Sequence, residues 1–185
     1  MKFLSDIQLM ALLAGGFTWP MNILIKRYGD MVYRFAVRFL CDEAEAEDVS
    51  QEVFIKVWKN ASSYDRTHSL STWIYRITYN LLIDKSREIR RREEAMAGYR
   101  MFSSDMEDFK DKIDAEDFEK LYRKIVLRLS PAQRTVFCLS EIEQMKNDEI
   151  AEVTGMTRDS VKSNLYMARK NVREMLEPRR RNNGL

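Results

Sequence analysis

The chain has 185 residues, of which 45% are hydrophobic and 11% aromatic. This is enough apolar material to bury a core in one domain or in two small ones, and it argues against global disorder. Gly and Pro are scarce, with six and three copies, and the runs between them are rich in strong helix formers. The composition therefore predicts an all-α protein.

The formal net charge of +2 conceals a segregation of charge along the chain. Residues 41–52 include six acidic residues and no basic one, whereas residues 85–92 include five basic residues and one acidic residue. A basic stripe suits a polyanion such as nucleic acid, and an acidic helix suits a basic protein surface. The sequence thus offers candidate sites for two kinds of partner.

Several classes of protein are disfavoured. Cys41 and Cys138 are far apart in the sequence and lie in no C-x-x-C or His cluster, so we expect no metal or other cofactor, no disulfide, and a cytoplasmic location. The apolar stretch from Leu9 to Phe17 is too short to span a membrane and makes a poor signal peptide, so we expect no membrane insertion. With one His and no Gly-rich phosphate loop, the chain offers no catalytic site, and we expect neither enzymatic activity nor a small-molecule substrate.

A first helical domain is predicted over residues 1–92. Its helices are recognised by apolar residues that recur at three- and four-residue steps, as on the buried face of a helix. These residues are Leu24, Tyr28, Met31, Val32, Phe35 and Phe39 in one helix, Val49, Val53 and Val57 in the next, and Ile74, Ile77, Leu81, Leu82 and Ile89 in a third that begins near Ser71. With a short N-terminal helix, they predict a compact bundle.

A second domain is predicted over residues 123–185, after an acidic flexible linker at 93–122. Ser130 and Pro131 suit the cap and first turn of a helix. Gly155 suits a tight turn, and Thr157 suits the cap of a following helix. Helix, tight turn and helix in this order predict a helix-turn-helix. The expected fold is therefore all-α, with two small helical domains joined by a linker.

The last helix is a candidate DNA-binding element. If Val161, Leu165 and Ala168 face the core, the opposite side is polar and fits the major groove of DNA. The candidate residues are Thr157, Arg158, Asp159, Lys162, Ser163, Tyr166 and Arg169. A charged face that only solvates the helix is the alternative, but the helix-turn-helix context favours DNA binding.

The helix that begins near Ser71 is a second candidate DNA surface. An Asn can read an adenine edge, an aromatic ring can stack on an exposed base, and an Arg can hold the backbone. The candidate residues are Ser69, Thr72, Trp73, Arg76, Asn80 and Arg87. The loop before this helix has the composition of an exposed loop that can pocket a flipped-out base. The alternatives are that Trp73 belongs to the core and that His68 is a solvated loop residue.

The acidic helix from Asp42 to about Asn60 is a candidate protein-docking element. Acidic and exposed aromatic side chains on one face suit a protein partner. The candidate residues are Asp48, Gln51, Glu52, Phe54 and Trp58. From these residues alone, a solvated acidic face remains the alternative.

Several stretches resemble a known family. Those from Tyr33 to Ala36, Ala46 to Phe54, Thr72 to Ile77 and Leu82 to Asp84 look like region two of extracytoplasmic-function sigma factors. Those from Leu129 to Pro131, Asp148 to Ala151, Ser160 to Ser163 and Ala168 to Arg169 are similar to region four. Both sets follow the order and separation of the family and together cover most of the chain. Residues 1–92 then correspond to region two and residues 123–185 to region four.

The resemblance implies a set of partners and roles. The acidic helix would dock the clamp coiled coil of the β′ subunit of core RNA polymerase. The loop before Trp73 and the face bearing Asn80 would read and melt the minus-ten promoter element. The helix from Thr157 would read the minus-thirty-five element, and neighbouring surface would touch the β flap. The family also implies an anti-sigma factor as a partner, and it leaves the chemistry of transcription with the core enzyme.

The sequence departs from the family pattern in places. Lys146 stands where Ser or Thr commonly caps the first helix of the helix-turn-helix, so we expect Asn147 to be the cap. Asn164 and Met167 stand where arginines are common, so the promoter sequence is not predicted. Primary sigma factors have a tryptophan pair where this chain has Arg76 and Ile77, which implies weaker melting and stricter promoter choice. The competing interpretation is a helix-turn-helix regulator that binds DNA but not polymerase, which would explain only the C-terminal half.

Overall fold

The structure is a computed structural model that describes residues 4–97 and 115–176. Helices account for nearly all of these residues, and no strand occurs among them. The elements are α1 (Asp6–Ala14), α2 (Pro20–Leu40), α3 (Glu43–Lys59), a 3₁₀ turn (Ala61–Ser63), α4 (Leu70–Ala97), α5 (Ala115–Arg128), α6 (Pro131–Phe137), a π-helical turn (Cys138–Ile142), α7 (Asn147–Thr154) and α8 (Arg158–Leu176). Across the same residues, no helix is long and apolar enough to cross a membrane. The prediction of an all-α, two-domain fold is confirmed.

The N-terminal domain is built around α2. Its apolar stripe packs against α3, α4 and α1, because the three- and four-residue spacing places its large apolar side chains on one face. Phe35 is fully buried at the centre, with its ring edge-on to Phe39 at 6.3 Å and to Tyr75 at 5.8 Å between centroids. The left-handed backbone of Cys41 (φ 54°) ends α2, and Asp42 starts α3 by accepting the Glu45 amide at 3.0 Å.

Helix α6 of the C-terminal domain begins where the sequence predicts it. Ser130 caps α6, its Oγ accepting the Gln133 amide, and the Gln133 side chain accepts the Ser130 amide in return. Pro131 occupies the first turn, where its missing N–H costs nothing. Gly155 adopts a left-handed φ of 73° in the turn between α7 and α8, and Thr157 caps α8 by accepting the Ser160 amide at 3.2 Å. These elements form the predicted helix-turn-helix.

The expected cap of α7 is wrong. The helix starts at Asn147 itself, and Lys146 is the residue before it with extended backbone. The Lys146 N–H donates to Glu149 Oε2 at 2.8 Å. Glu149, in the first turn of the helix, therefore supplies the acceptor that a capping box places there. The Ser or Thr that would complete the box at the cap position is missing.

The predicted linker overlaps helices at both ends. Helix α4 continues past Arg92, and α5 begins at Ala115. Residues 98–114 of the predicted linker lie outside the described residues. The flanking residues that are described therefore extend the helices on either side.

The two domains pack against each other along a seam formed mainly by α4 with α7, and by α2 with the π-helical turn. Polar groups cross this seam. Glu143, whose side chain is 4% exposed, accepts hydrogen bonds from the Tyr75 hydroxyl at 2.7 Å and from the Arg34 guanidinium at 3.3 Å. The buried Arg134 guanidinium donates to the carbonyl of Phe39 at 3.2 Å. Apolar residues of both domains meet beneath these contacts in one continuous core.

Both cysteines lie at this seam, although no pattern in the sequence indicates that they lie close together. The sulfur atoms of Cys41 and Cys138 lie 3.9 and 3.7 Å from the same acceptor, the carbonyl oxygen of Arg38. Cys138 is fully buried, and burial raises the pKa of its thiol to about 12. Burial also raises the pKa of the half-buried Cys41 thiol. Cys138 therefore reports contact between the domains, because the Arg38 carbonyl belongs to the first domain.

Thiol reactivity tests this packing. Because a raised pKa leaves little thiolate, and because Cys138 is shielded by α2, we expect Cys138 to react with a maleimide at about pH 8 at least tenfold more slowly than in urea-unfolded protein. Cys41 should be slowed to a smaller extent. Mass spectrometry of the peptides gives each rate separately. Equal rates in folded and unfolded protein would show that the seam does not cover these thiols.

Candidate nucleic-acid and protein interfaces

The acidic face of α3 is open to solvent. Asp48, Gln51 and Glu52 are exposed, and Trp58 keeps 52% of its surface accessible. Phe54, which the sequence places on the same docking face, is only 8% exposed and lies in the core. Its apolar ring prefers the interior at a position where the helix turns towards α2 and α4. Phe54 therefore does not belong to the exposed face that the sequence predicts, whereas a neighbouring residue does.

That neighbour is Ile55, which is 47% exposed. It lies three residues after Glu52 and four after Gln51, on the same strip of the helix. Exposed apolar side chains flanked by acids are typical of a protein-binding face. The spacing of the acidic residues, continued by one turn, would have identified Ile55 from the sequence.

A shallow groove runs between α3 and α4 beside this face. Its walls carry more acidic than basic side chains, and its lining residues are Asp48, Val49, Glu52, Lys56, Leu81, Asp84, Lys85 and Glu88. The groove joins the exposed acids of α3 to those of α4. The acidic surface is therefore wider than the single helix that the sequence indicates.

The basic run at residues 85–92 is largely neutralised within the domain. Lys85 and Arg92 both pair with Glu45 of α3, at 2.5 and 3.1 Å, and both also pair with Glu88. The hydrogen bond to Glu45 raises the pKa of Lys85. Arg87 pairs with Asp84 at 3.4 Å. Lys85 and Arg92 therefore hold α3 against α4, while Arg87 pairs within α4.

Hydrogen bonds hold the loop that precedes α4. Ser69 Oγ accepts the Thr72 amide at 3.1 Å, so both hydroxyl residues help to start the helix. The ring of Trp73 is half-buried and lies 5.4 Å from that of Tyr64. The Tyr64 hydroxyl donates to the carbonyl of His68 at 2.9 Å. Trp73 thus combines a core contact with an accessible edge, and its contact with a base stays a prediction.

The remaining candidates on α4, including Arg76, are all exposed but differ in their contacts. Asn80 and Arg87 are exposed. Arg76 instead reaches across the seam, where its Nε donates to the carbonyl of Glu152 in α7 at 3.1 Å, with a second bond from Nη2. His68 is not simply solvated, because its Nδ1 lies 3.5 Å from the carboxylate of Glu152. The structure therefore brings the second domain to one end of the candidate minus-ten surface.

Helix α8 separates its core and polar faces as predicted. Val161, Leu165 and Ala168 are buried. The candidate residues on the opposite side are exposed, and they are Thr157, Arg158, Asp159, Lys162, Ser163, Tyr166 and Arg169. Arg158 pairs with Asp148, and Arg169 pairs with Glu141 at 2.7 Å. Lys162 and Tyr166, the latter 68% exposed, are available to a groove without breaking those pairs.

Two family models match the chain. The model of Sigma-70 region 2 matches residues 24–93, and the model of Sigma-70, region 4 matches residues 119–172. The first match covers most of α2 to α4, and the second covers most of α5 to α8. The matched segments therefore coincide with the two packed domains.

Curated relatives agree with the two family matches. The chain is 29% identical over 162 residues to the ECF RNA polymerase sigma factor SigW of Bacillus subtilis, a match that covers 83% of this chain and 87% of that protein. It is 26% identical over 183 residues to the RNA polymerase sigma-H factor of Pseudomonas aeruginosa, covering 94% of this chain and 95% of the relative. The similarity thus extends over nearly the full length of both.

Solved structures share the fold. CnrH in complex with the cytosolic domain of CnrY has a TM-score of 0.68 at 22% identity, covering 92% of this chain and 96% of CnrH. The sigma factor RpoE in complex with the anti-sigma factor NepR, from Bartonella quintana, has a TM-score of 0.67 at 21% identity, covering 88% and 100%. Both family models match, and the relatives are similar along most of their length. The chain therefore belongs to the sigma-70 family of RNA polymerase sigma factors, in its extracytoplasmic-function group.

Proposed function

We propose that this chain is a sigma factor that binds core RNA polymerase in the cytoplasm and directs it to start transcription at particular promoters. The observation that carries the proposal is the division of exposed surface between the two family domains. The first presents an acidic and apolar face on α3, and the second presents a polar and basic face on α8. One face suits a basic protein partner, and the other suits the major groove.

In this mechanism, α3 docks the clamp coiled coil of the β′ subunit through Asp48, Glu52, Ile55 and Trp58. Carboxylates at the rim steer a basic partner, and the two apolar side chains supply buried contact area. The acidic groove between α3 and α4 extends the same surface. Reaction chemistry stays with the core enzyme, since sigma factors are not a family of enzymes.

Promoter DNA is read at two places. Helix α8 enters the major groove of the minus-thirty-five element, where Lys162 reaches base edges or phosphates and Tyr166 packs on the sugar-phosphate backbone. Asn80 of α4, with the loop before Trp73, captures unstacked bases of the minus-ten element. The surface beside α8 contacts the β flap. We also propose an anti-sigma factor as a protein partner, since RpoE of Bartonella quintana is found in complex with one.

Run-off transcription with purified bacterial core polymerase, on fragments of the source genome, tests the function directly. We expect new transcripts that depend on this protein, and their start sites would reveal both promoter elements. Absence of transcripts together with failure to co-elute with core polymerase would instead favour the DNA-binding regulator that does not bind polymerase.

Charge reversal on α3 tests the docking surface. Glu52→Lys should weaken binding to core polymerase roughly tenfold, because it places a cation against a basic partner surface, and Asp48→Lys should act alike. Glu174→Lys on α8 is a matched control, since Glu52 and Glu174 are both exposed and each lies 3.8 Å from a lysine one turn away. Titration of labelled protein with core polymerase gives the affinities. An unchanged affinity for Glu52→Lys would remove α3 from the docking site.

The two aromatic residues of α3 should behave differently. Trp58→Ala removes a half-exposed ring, so we expect a loss of stability within about 0.5 kcal/mol and a loss of core affinity of about 30-fold or more. Phe54→Ala removes a core ring and should cost about 3–5 kcal/mol of stability. Urea unfolding followed by circular dichroism separates the two effects. A large loss of stability in Trp58→Ala would show that its ring is structural.

Asn80 tests the minus-ten assignment. Asn80→Ala should reduce promoter opening by roughly tenfold, the value of one base-edge contact, while leaving core affinity unchanged. Permanganate reactivity of the opened strand measures opening on a promoter found by run-off transcription. Asn22→Ala, at an exposed asparagine of α2, is the control. Loss of core binding in Asn80→Ala would show that the residue supports the fold rather than the DNA.

A further inference from the structure

The first residue of α8, Arg158, is held by an acid of the neighbouring helix. It follows Thr157, which caps α8. Its guanidinium binds the carboxylate of Asp148 in α7 through two nitrogen atoms, with Nε against Oδ1 and Nη2 donating to Oδ2. The side chain nevertheless keeps 64% of its surface exposed. A two-point pair of this kind fixes the orientation of the arginine, and here it does so without covering it.

The pair with Asp148 uses one edge of the guanidinium and leaves another open. A guanidinium is planar and presents its N–H groups in a rigid fork. Asp148 occupies the edge that Nε and Nη2 form. The edge that Nη1 and Nη2 form carries two further N–H groups side by side. Guanine offers two matching acceptors in the major groove, O6 and N7. Arg158 can therefore donate to a guanine while it keeps its bond to Asp148.

The position of Arg158 suits such a contact. In a helix-turn-helix, the N-terminal residues of the second helix contact the base edges. A second arginine of α8, Arg169, is also held by an acid, since its Nε and Nη2 both donate to Glu141 Oε1. Arg169 lies about 16 Å further along the helix axis, at a rise of about 1.5 Å per residue. Of these two paired arginines, Arg158 is therefore the one at the reading end of α8.

The surroundings of Arg158 favour a base over a phosphate. Asp148 neutralises the charge of Arg158 and would repel a phosphate placed beside the pair. The edge of a guanine carries no net charge, so the carboxylate does not oppose it. Lys162 lines the same open cleft between α7 and α8, and it has no ion-pair partner among the residues that the structure describes. Lys162 is therefore the cation that suits a phosphate.

We propose that Arg158 reads a guanine of the minus-thirty-five element, and that Asp148 positions it for this contact. The inference rests on the proposed function, because it takes α8 as the helix that enters the major groove. Arg158 supplies base selection, and Lys162, one turn later, supplies contact with the DNA backbone. The pair thus assigns a base to one position of the promoter element that α8 recognises.

Base preference measures the role of Arg158. A promoter found by run-off transcription is randomised over its minus-thirty-five element, transcribed by core polymerase with this protein, and sequenced. For the parent protein, we expect guanine to be preferred about tenfold at one base pair that Arg158→Ala makes indifferent. Preferences at the other base pairs should stay unchanged in that variant. Arg169→Ala, the matched control, should keep the guanine preference. A uniform loss across all sequences in Arg158→Ala would indicate a phosphate contact and would overturn the inference.

Asp148→Asn tests the positioning role. It keeps the size of the side chain but removes its charge and one of the two acceptors that hold Arg158, so the guanine preference should fall about threefold or more. Binding to duplexes with another base at that position should rise about twofold, because a negative charge near DNA is lost. Glu141→Gln removes the same charge beside Arg169 and should leave the preference unchanged. Equal losses of preference in both variants, or weaker binding of Asp148→Asn to every sequence, would overturn the role of Asp148.

The same randomised duplex, selected by binding to the full-length protein without polymerase, separates this inference from the proposed function. Transcription by the parent protein without the guanine preference would overturn the inference and leave the proposed function intact. Failure to transcribe and to bind core polymerase would overturn the proposed function. In that case the selected duplexes decide the role of Arg158. Guanine enrichment that Arg158→Ala abolishes would support it, and absence of such enrichment would overturn it.

Discussion

The carboxylate of Glu143 is the interaction on which the arrangement of the two domains depends. It is almost completely removed from water, and among the described residues its donors, Tyr75 and Arg34, belong to the other domain. A buried carboxylate without such donors would be strongly unfavourable. The domains can therefore pack with Glu143 against Tyr75 and Arg34, or they can separate and return Glu143 to water. A packing that buried Glu143 without such donors would be unfavourable.

This constraint also limits the strength of the seam. A buried ion pair recovers little more than the cost of its own desolvation, and a solvent-exposed pair such as Arg38–Glu119 contributes about 0–1 kcal/mol. The buried guanidinium of Arg134 binds carbonyl groups of both domains, which water can replace once the seam opens. The polar contacts of the seam therefore specify how the domains meet but add little to the stability of their contact.

Much of the fold follows from local patterns in the sequence. Apolar residues at three- and four-residue steps around Phe35, Ile74 and Leu165 identify one buried face on each of three helices, and the structure buries these faces. Ser130 marks a helix start that the structure confirms. Such features depend on residues close together in the chain. The error at Asn147 is of the same local kind, since extended backbone at Lys146 allowed Glu149 to complete the cap from the other side.

Features that depend on distant residues were not predictable. Nothing near Glu143 in the sequence indicates Arg34 or Tyr75, and nothing near Cys41 indicates Cys138. The pairing of Lys85 and Arg92 with Glu45 depends on the packing of α3 on α4, whereas their pairs with Glu88 lie within α4 at local spacing. The burial of Phe54 is not predictable either, because a helical strip at the border between core and solvent can face either way until its neighbours are known.

On α8, the separation of core-packing residues from solvent-exposed residues has a consequence for divergence within such a family. The side chains that hold the helix in place, Val161, Leu165 and Ala168, are separate from those that we propose to read DNA. Exposed positions tolerate replacement with little loss of stability. Natural drift at Lys162 or Tyr166 can therefore change the set of genes under control while the scaffold is inherited intact, so copies of such a gene can acquire separate regulons after duplication.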